Sequence, residues 1–426
     1  MEPMDLLADL EARGLVADAT DRAALRARLA EGPITVYYGC DPTAHSLHLG
    51  NLIGLLVLRR FQDAGHRPIA LAGGATGMVG DPSGRSDERN LLDEATLAAN
   101  VAAISDQISR VLGDGGGWEL VDNLAWTGGL TVLDFLRDVG KHVTVNQMVA
   151  RESVRTRMAG EHGISFTEFS YMLLQANDYR WLHDHRGCEL QVGGSDQWGN
   201  ILGGVDLVRR TRAAPVHGLS WPLLTAADGT KLGKTTGARI WLDPARTSPY
   251  QLFQHFMAVD DRQLRSYLAM FTLITVEEVD AVADAHAEAP ARRDGQRRLA
   301  REVTTIAHGA AAAAAAEGAA AVLFGQPLDD VDAAALEAVA TEVPVTRLLR
   351  HPFVRGMDVV DLLAETTLVT SRSEARRLLG EGGVRINGAP VPADHVVTED
   401  ALLLGHWLVV RRGKQRYELV HAAHQP

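Results

Sequence analysis

A short β-branched and aromatic run, Ile34-Thr35-Val36-Tyr37, feeds a polar loop, Gly39-Cys40-Asp41-Pro42-Thr43. The loop in turn feeds an apolar-periodic segment, Leu52, Ile53, Leu55, Leu56 and Leu58, which stops before Gly65. Strand, loop and helix in that order read as one unit of an α/β sheet. A polar loop at the carboxyl end of a parallel strand, opening a helix N-terminus, is where such sheets bind phosphates. Gly39 and Gly50 let backbone approach a ligand, and Thr43 and His48 offer it short polar groups. Taken alone, the stretch is equally compatible with a plain crossover whose helix is capped by histidine. The same order returns at Glu189-Leu190-Gln191-Val192, Gly193-Gly194 and Ser195-Asp196-Gln197. With further strands expected at Pro68–Ala72, Glu119–Val121 and Trp221–Thr225, the pattern predicts a doubly wound parallel sheet. Two such strand ends would face one crevice at the topological switch point.

At 426 residues and 46% hydrophobic composition the chain has room for two to four domains, at roughly 100 to 200 residues each. No apolar run approaches the ~20 residues of a membrane span, and Asp5, Asp9 and Glu11 break any signal-peptide pattern, so the cytoplasm is the expected compartment. Cys40 and Cys188 are too few for a disulfide framework or a thiolate metal site, and no metal-ligating residues are expected. The net charge of −12 argues against indiscriminate nucleic-acid binding. Charge is segregated, however: Ser371 to Val420 holds eight Arg plus Lys against six Asp plus Glu, or +2, leaving −14 for the rest.

Residues 1 to 31 read as helical, as do Leu130–Val139 and Thr144–Arg157 within an insertion. Ser165-Phe166-Thr167-Glu168 is a capping box opening a helix to about His183. On it Tyr171, Gln175 and Asp178 stand at i, i+4 and i+7, one face of the helix. That spacing also fits a solvated face, but the apolar neighbours Met172, Leu173, Leu174 and Ala176 favour burial. A helical region is expected from Ser248-Pro249 to about Leu323, and 325–350 reads as a linker. Beyond it, Ser371-Arg372-Ser373-Glu374 is a second capping box, opening a helix with Arg372, Arg376 and Arg377 exposed; Arg385 follows on a strand, with Arg411, Arg412, Lys414 and Arg416 on the last hairpin. A basic helix on small strands suits phosphate contacts, although an ordinary solvated α+β domain has the same pattern.

His48-Leu49-Gly50-Asn51 resembles the ATP-binding "HIGH" motif of class I aminoacyl-tRNA synthetases. Ala227-Asp228-Gly229-Thr230 followed by Lys231-Leu232-Gly233-Lys234-Thr235 resembles the lysine-rich "KMSKS" loop in the form used by the bacterial tyrosyl members. Asn51 stands where the motif has its last histidine, keeping a donor but not a cation. The resemblance runs over nearly the whole chain. It implies a Rossmann-like catalytic domain over 1–224 with a helical insertion at about 125–160. It further implies a loop and helical domain over 225–324, and over 351–426 a small RNA-binding fold shared with a ribosomal small-subunit protein and pseudouridine synthases.

The activity so implied is ligation of tyrosine to its tRNA through an adenylate, with ATP as substrate, Mg²⁺ on the phosphates, and a homodimer joined near Gly140–Met148. Catalytic roles fall by motif on Thr43, His48, Asn51, Lys231, Lys234 and Thr235. Tyrosine would be held by Tyr37 and Asp178 at its hydroxyl, by Asp81, Tyr171 and Gln175 at its ammonium and by Gln197 near its carboxylate. ATP would meet Gly39, Asp41, Gly50, Arg85, Arg89, Gly194, Asp196 and Lys234, and tRNA would meet Arg372, Arg376, Arg377 and Arg385. Two alternatives share many of these features. One is a tryptophanyl synthetase, against which the basic C-terminal domain and the Tyr37–Asp178 pair speak. The other is an RNA-binding structural protein on a silent synthetase scaffold, against which Thr43, His48, Lys231 and Lys234 speak.

Overall fold

The computed structural model describes residues 5–83, 92–113, 115–160, 163–223 and 239–423. The chain forms two compact units, one of Met1–Thr247 with Ala258–Ala307 and one of Ser248–Met257 with His308–Pro426.

The first unit is built on six strands: β1 (Asp18–Ala19), β2 (Thr35–Cys40), β3 (Arg67–Ala72), β4 (Glu119–Asp122), β5 (Cys188–Gly194) and β6 (His217–Trp221). Their order is β1-β6-β5-β2-β3-β4. β2 pairs in parallel with both β3 and β5, and β1 adds an antiparallel edge to β6. The chain leaves β2 for β3 on one side and returns to β5 on the other, so the carboxyl ends of β2 and β5 flank the switch point. Thr35 to Tyr38 are buried on both faces of the sheet, as expected for a parallel strand covered by helices above and below.

The helix after β2, Leu49–Asp63, buries Leu52, Ile53, Leu55, Leu56, Leu58 and Phe61. Each such side chain contributes roughly 1.5–3 kcal/mol on burial. The long helix Phe166–Arg186 starts on an Ser165 cap that accepts from the Glu168 amide and ends at Gly187 in the left-handed region. The Glu168 carboxylate reaches Arg157 at 2.6 Å, with both side chains buried, so it ties the helix to the insertion.

Several boundaries differ from expectation. The last strand of this sheet is His217–Trp221 rather than Trp221–Thr225. Pro222 has no N–H to continue a ladder, and the polar run His217-Gly218-Leu219-Ser220 is buried by its neighbours rather than by its own composition. Residues 224 and 225 lie outside the described ones. The insertion helix expected over Thr144–Arg157 is two helices, Val145–Val149 and Glu152–Met158. Residues 1 to 31 hold two helices with β1 between them.

The second unit carries the sheet β10-β9-β12-β13-β7, formed by β7 (Val345–Leu349), β9 (Val384–Ile386), β10 (Ala389–Pro390), β12 (Trp407–Arg412) and β13 (Arg416–Ala423). A separate pair joins β8 (Met357–Asp358) to β11 (Val396–Val397). Helix Arg372–Gly380 turns Ala375 and Leu379 inward onto a core with Phe353, Leu363, Ile386, Leu408 and Val420. Segment 325–350 is not a linker. It contains the helix Ala333–Glu342, and its strand β7 pairs in parallel with β13. Leu336 and Val339 of that helix pack with Trp407, Val409, Tyr417 and Leu419. The helical region also divides differently from expectation, because Pro249–Met257 and Ala310–Leu323 belong to this second unit.

Candidate active site

Midway along β2, Tyr37 is buried in the first unit, 1% exposed, with its ring edge-on to Tyr179. Its hydroxyl is buried and meets no hydrogen-bond partner among the described residues. Asp178, 2% exposed, is close enough for its charge to raise the Tyr37 pKa, together with the larger effect of burial. Asp178 Oδ2 accepts from Asn123 Nδ2 at 3.0 Å and Oδ1 accepts from Trp126 Nε1 at 2.8 Å. Burial pushes its carboxyl up to about 7 against the opposing pull of those two donors, with Asp41 and Asp122 adding to the rise. A carboxylate offers about four lone-pair sites, so two donors leave capacity for a ligand hydroxyl.

From Asp178 the polar chain continues toward β2. Asn123 Nδ2 also donates to Thr76 Oγ1 at 3.0 Å, and the Thr76 hydroxyl donates to Asp41 Oδ1 at 2.7 Å. Tyr171 donates its hydroxyl to Asp41 Oδ2 at 3.0 Å. Gly73 sits against this chain: an added Cβ would lie 2.2 Å from Asp41 Oδ1, so no side chain fits. Gln197 Nε2 donates to Asp81 Oδ2 at 2.7 Å, while Asp81 Oδ1 accepts from the Ser83 amide at 2.9 Å. Gln175 Oε1 is a second buried polar atom with no described partner. A buried polar group without a partner costs about 1–3 kcal/mol, and Gln175 stands on the same helix as Asp178, three residues before it.

On the loop side, His48 caps helix Leu49–Asp63, its Nδ1 accepting from the Gly50 amide at 3.1 Å. Accepting at Nδ1 puts the ring proton on Nε2. Asn51 Oδ1 accepts from the His48 amide at 3.1 Å, and its Nδ2 donates to the Tyr38 hydroxyl at 3.4 Å. Asn51 thus closes a reciprocal cap, a job the shape of an asparagine allows. Gly39 is the one exposed residue of β2, leaving its backbone bare, and Thr43 is exposed beside it. Gly194 ends β5, where an added Cβ would come within 2.7 Å of Asp196 Oδ1. Asp196 itself is the middle residue of the turn Ser195–Gln197 before helix Trp198–Arg212.

Arg85 and Arg89 lie outside the described residues, as do Lys231, Lys234 and Thr235. Both flanks of 224–238 border this region nonetheless. Leu223 lies 3.3 Å from where a Gly194 Cβ would stand. On the other side the Leu242 amide donates to the Leu47 carbonyl at 2.8 Å and the Leu49 amide to the Ile240 carbonyl at 3.3 Å. Trp241 faces His48 edge-on, with the Arg246 guanidinium 3.8 Å from its ring centroid. Asn123, Trp126, Thr76 and Trp241 were not singled out by sequence. The only signal for the first was a polar residue directly after a strand.

In the second unit Arg372, Arg376 and Arg377 are exposed on one helix. Arg372 pairs with Asp361 at 2.9 Å and Arg377 with Glu381 at 3.2 Å, while no described carboxylate pairs with Arg376. Arg385 donates to the Gly388 carbonyl at 2.8 Å.

Comparison with known proteins places the chain in a family. The family described as tRNA synthetases class I (W and Y) matches residues 29–325, and the tyrosine–tRNA ligase SYY-like C-terminal domain matches 335–420. A tyrosine–tRNA ligase of Opitutus terrae is 48% identical, covering 98% of this chain and 99% of its own. That of Mycobacterium tuberculosis is 49% identical over 96% and 97%. The structure of a C-terminally truncated mitochondrial tyrosyl-tRNA synthetase from Aspergillus nidulans aligns with a TM-score of 0.67 at 33% identity, over 75% of this chain and 94% of its own. A parallel sheet with a topological switch point, a helix capped by His48 beside it, a buried Tyr37 and Asp178, and relatives matched over nearly their whole length lead to one conclusion: the chain belongs to the tyrosine–tRNA ligases, class I aminoacyl-tRNA synthetases that act with ATP.

Proposed function

We propose that the crevice between β2 and β5 selects tyrosine through Tyr37 and Asp178 and activates it on ATP held at the His48 loop. The observation that carries this is the pairing of an orphaned, buried Tyr37 hydroxyl with a buried carboxylate that has unused acceptor capacity. A phenol would accept from Tyr37 and donate to Asp178; phenylalanine would leave the Tyr37 hydroxyl unpaired and the spare acceptor capacity of Asp178 unused. Tyr171, Gln175 and Asp81 would surround the ammonium, with Gln197 near the carboxylate.

The chemistry asks for no enzyme nucleophile. The tyrosine carboxylate attacks the α-phosphorus, pyrophosphate leaves, and a ribose hydroxyl of the terminal adenosine of tRNA then takes the tyrosyl group as AMP departs. The protein aligns reactants and stabilises charge growing on phosphate oxygens. Thr43, His48 and the amides at the start of helix Leu49–Asp63 would meet the phosphates, supported by the helix dipole. Asn51 would hold His48 in its cap, Gly39, Gly50, Gly194 and Asp41 would border the nucleotide, and Asp196 would take its ribose. Lys231, Lys234 and Thr235, with Arg85 and Arg89, would meet the leaving pyrophosphate. Mg²⁺ would neutralise phosphate charge; the donors on offer to it are chiefly the nucleotide's own oxygens, since no group of three His, Cys, Asp or Glu stands together among the described residues.

Arg372, Arg376, Arg377 and Arg385 would grip phosphates of the tRNA. A homodimer is favoured by apolar side chains left in water around the insertion, among them Leu133 at 77% and Phe166 at 79% exposure, with Val132, Val145 and Met158. A patch of that kind marks a protein interface. No described helix is long and apolar enough to cross a membrane, in keeping with a cytoplasmic role. ATP–pyrophosphate exchange driven by tyrosine but not by tryptophan or phenylalanine tests the selection; exchange driven equally by tryptophan would overturn it. Light scattering that reports a monomer at micromolar concentration would refute the dimer.

A further inference from the structure

The carboxylate that would meet the phenol accepts from Trp126 Nε1 at 2.8 Å, so the aim of that carboxylate depends on where the indole is held. Trp126 lies on a single helical turn, Leu124–Thr127, whose first amide donates to Asp122 Oδ1 at 2.9 Å, and its partly buried ring packs on the core that holds Tyr37 and Tyr179. The face of that ring meets Trp181. The two indoles stack with centroids 4.2 Å apart and planes within 10°. Trp181 stands three residues after Asp178 on helix Phe166–Arg186, so the two are neighbours on one helix face. Trp126 is therefore held by its edge at Asp178 and by its face at Trp181, both from one rigid element.

Trp181 is backed in turn. His185 stacks on it at 4.2 Å and 15°, and the Arg186 guanidinium lies 5.4 Å from its ring centroid. Arg186 also contacts the Glu119 carboxylate at 3.0 Å, at the start of the strand that leads to Asn123. The stack thus runs from the surface to the residue that orients Asp178. We propose that Trp181 is a positioning residue for amino-acid selection: by stacking on Trp126 it aims the indole N–H at Asp178 and keeps the carboxylate pointed at the phenol. This rests on the reading of Tyr37 and Asp178 given above.

The test is steady-state pyrophosphate exchange with tyrosine and phenylalanine. Trp181→Leu is expected to narrow the preference for tyrosine by roughly two- to tenfold, the worth of one aromatic pair. The change should appear in KM for tyrosine, with KM for ATP and the rate at saturating tyrosine unchanged, and Trp181→Phe should recover most of it. In a Trp126→Phe background no N–H remains to be aimed, so Trp181→Leu should add nothing further; effects that simply add would overturn the proposal. An unchanged preference in Trp181→Leu, where Tyr37→Phe narrows it, would overturn the role of Trp181 and leave the pocket standing. An unchanged preference in Tyr37→Phe as well would remove the pocket reading and this inference together. If Trp181→Leu does not fold, Trp181→His keeps a smaller planar ring and is read against the same outcomes.

Discussion

Asp178 and Arg376 are both charged groups proposed to touch a substrate, yet their surroundings differ in every physical respect. Asp178 is 2% exposed, receives two fixed donors and has its pKa moved by burial. Arg376 stands in solvent on a helix whose other arginines are in exposed pairs with Asp361 and Glu381. Exposed pairs of that kind are worth about 0–1 kcal/mol each, so a polyanion would displace them at little cost. Selection by the first region, as proposed, would depend on desolvation and geometry. Grip by the second, as proposed, would depend on the number of cations and on salt.

That contrast is open to direct attack, beginning with the surface. Replacing Arg372, Arg376, Arg377 and Arg385 together with alanine should lower tRNA affinity by on the order of 10²- to 10³-fold at physiological salt and make the salt slope shallower by three to four units, at about 0.9 per phosphate contact. Tyrosine-dependent exchange should be untouched; filter binding across a salt series decides. Point variants serve better here than a cut near Arg350, which would strip helices Ala310–Leu323 and Ala333–Glu342 of the Trp407, Tyr417 and Leu419 side chains that they pack against.

One buried group should nearly match those four. Asp178→Ala is expected to lower kcat/KM for tyrosine by about 10²-fold, since a hydrogen bond to a charged acceptor contributes roughly 1.5–3 kcal/mol, without altering the salt dependence of tRNA binding. A loss that depended on salt would dissolve the distinction between the regions.

Acidity sharpens the contrast further. With its carboxyl at about 7, Asp178 in the empty site gains a proton as pH falls through neutrality, and the protonated form competes with a phenol that must donate to it. The ratio of tyrosine to phenylalanine kcat/KM should drop by up to about tenfold for each unit below that pKa. Taking the ratio cancels titration of the shared substrate groups. A ratio flat from pH 8 to pH 6 would mean that Asp178 is already ionised throughout.

The smallest effect belongs to the neutral partner. Tyr37→Phe should narrow the same ratio by roughly 0.5–1.5 kcal/mol, the net worth of one uncharged hydrogen bond. A change as large as that of Asp178→Ala would show Tyr37 to be shaping the pocket rather than only donating to the phenol.

Much of this was legible in the chain itself, and the legible parts share a physical cause. The strand–loop–helix unit at Tyr37 to Leu58, the cap at Ser165 and the row Tyr171, Gln175, Asp178 are encoded within about one element, where residue spacing alone decides which side chains share a face. The arginine helix was readable for the same reason: Ala375 and Leu379 sit a turn apart and leave Arg372, Arg376 and Arg377 outside. Segment 325–350 was misread because its composition is that of a connector, whereas strand β7 exists only because β13, some 70 residues later, is there to pair with it. His217-Gly218-Leu219-Ser220 likewise carries no strand pattern, and becomes β6 by lying between β5 and β1.

The site divides along the same line. Residue type and local spacing determined which groups have the chemistry to bind a phenol or a phosphate. Only the tertiary structure decided what holds those groups. Asn123 and Trp126 reach Asp178 across 55 and 52 residues of chain, and Trp241 lies against His48 through an isolated bridge. Periodicity records that a side chain is buried and toward which face of its own element. It holds no record of which distant donor will arrive there, because that choice is made by the packing of whole elements rather than by the preferences of any one.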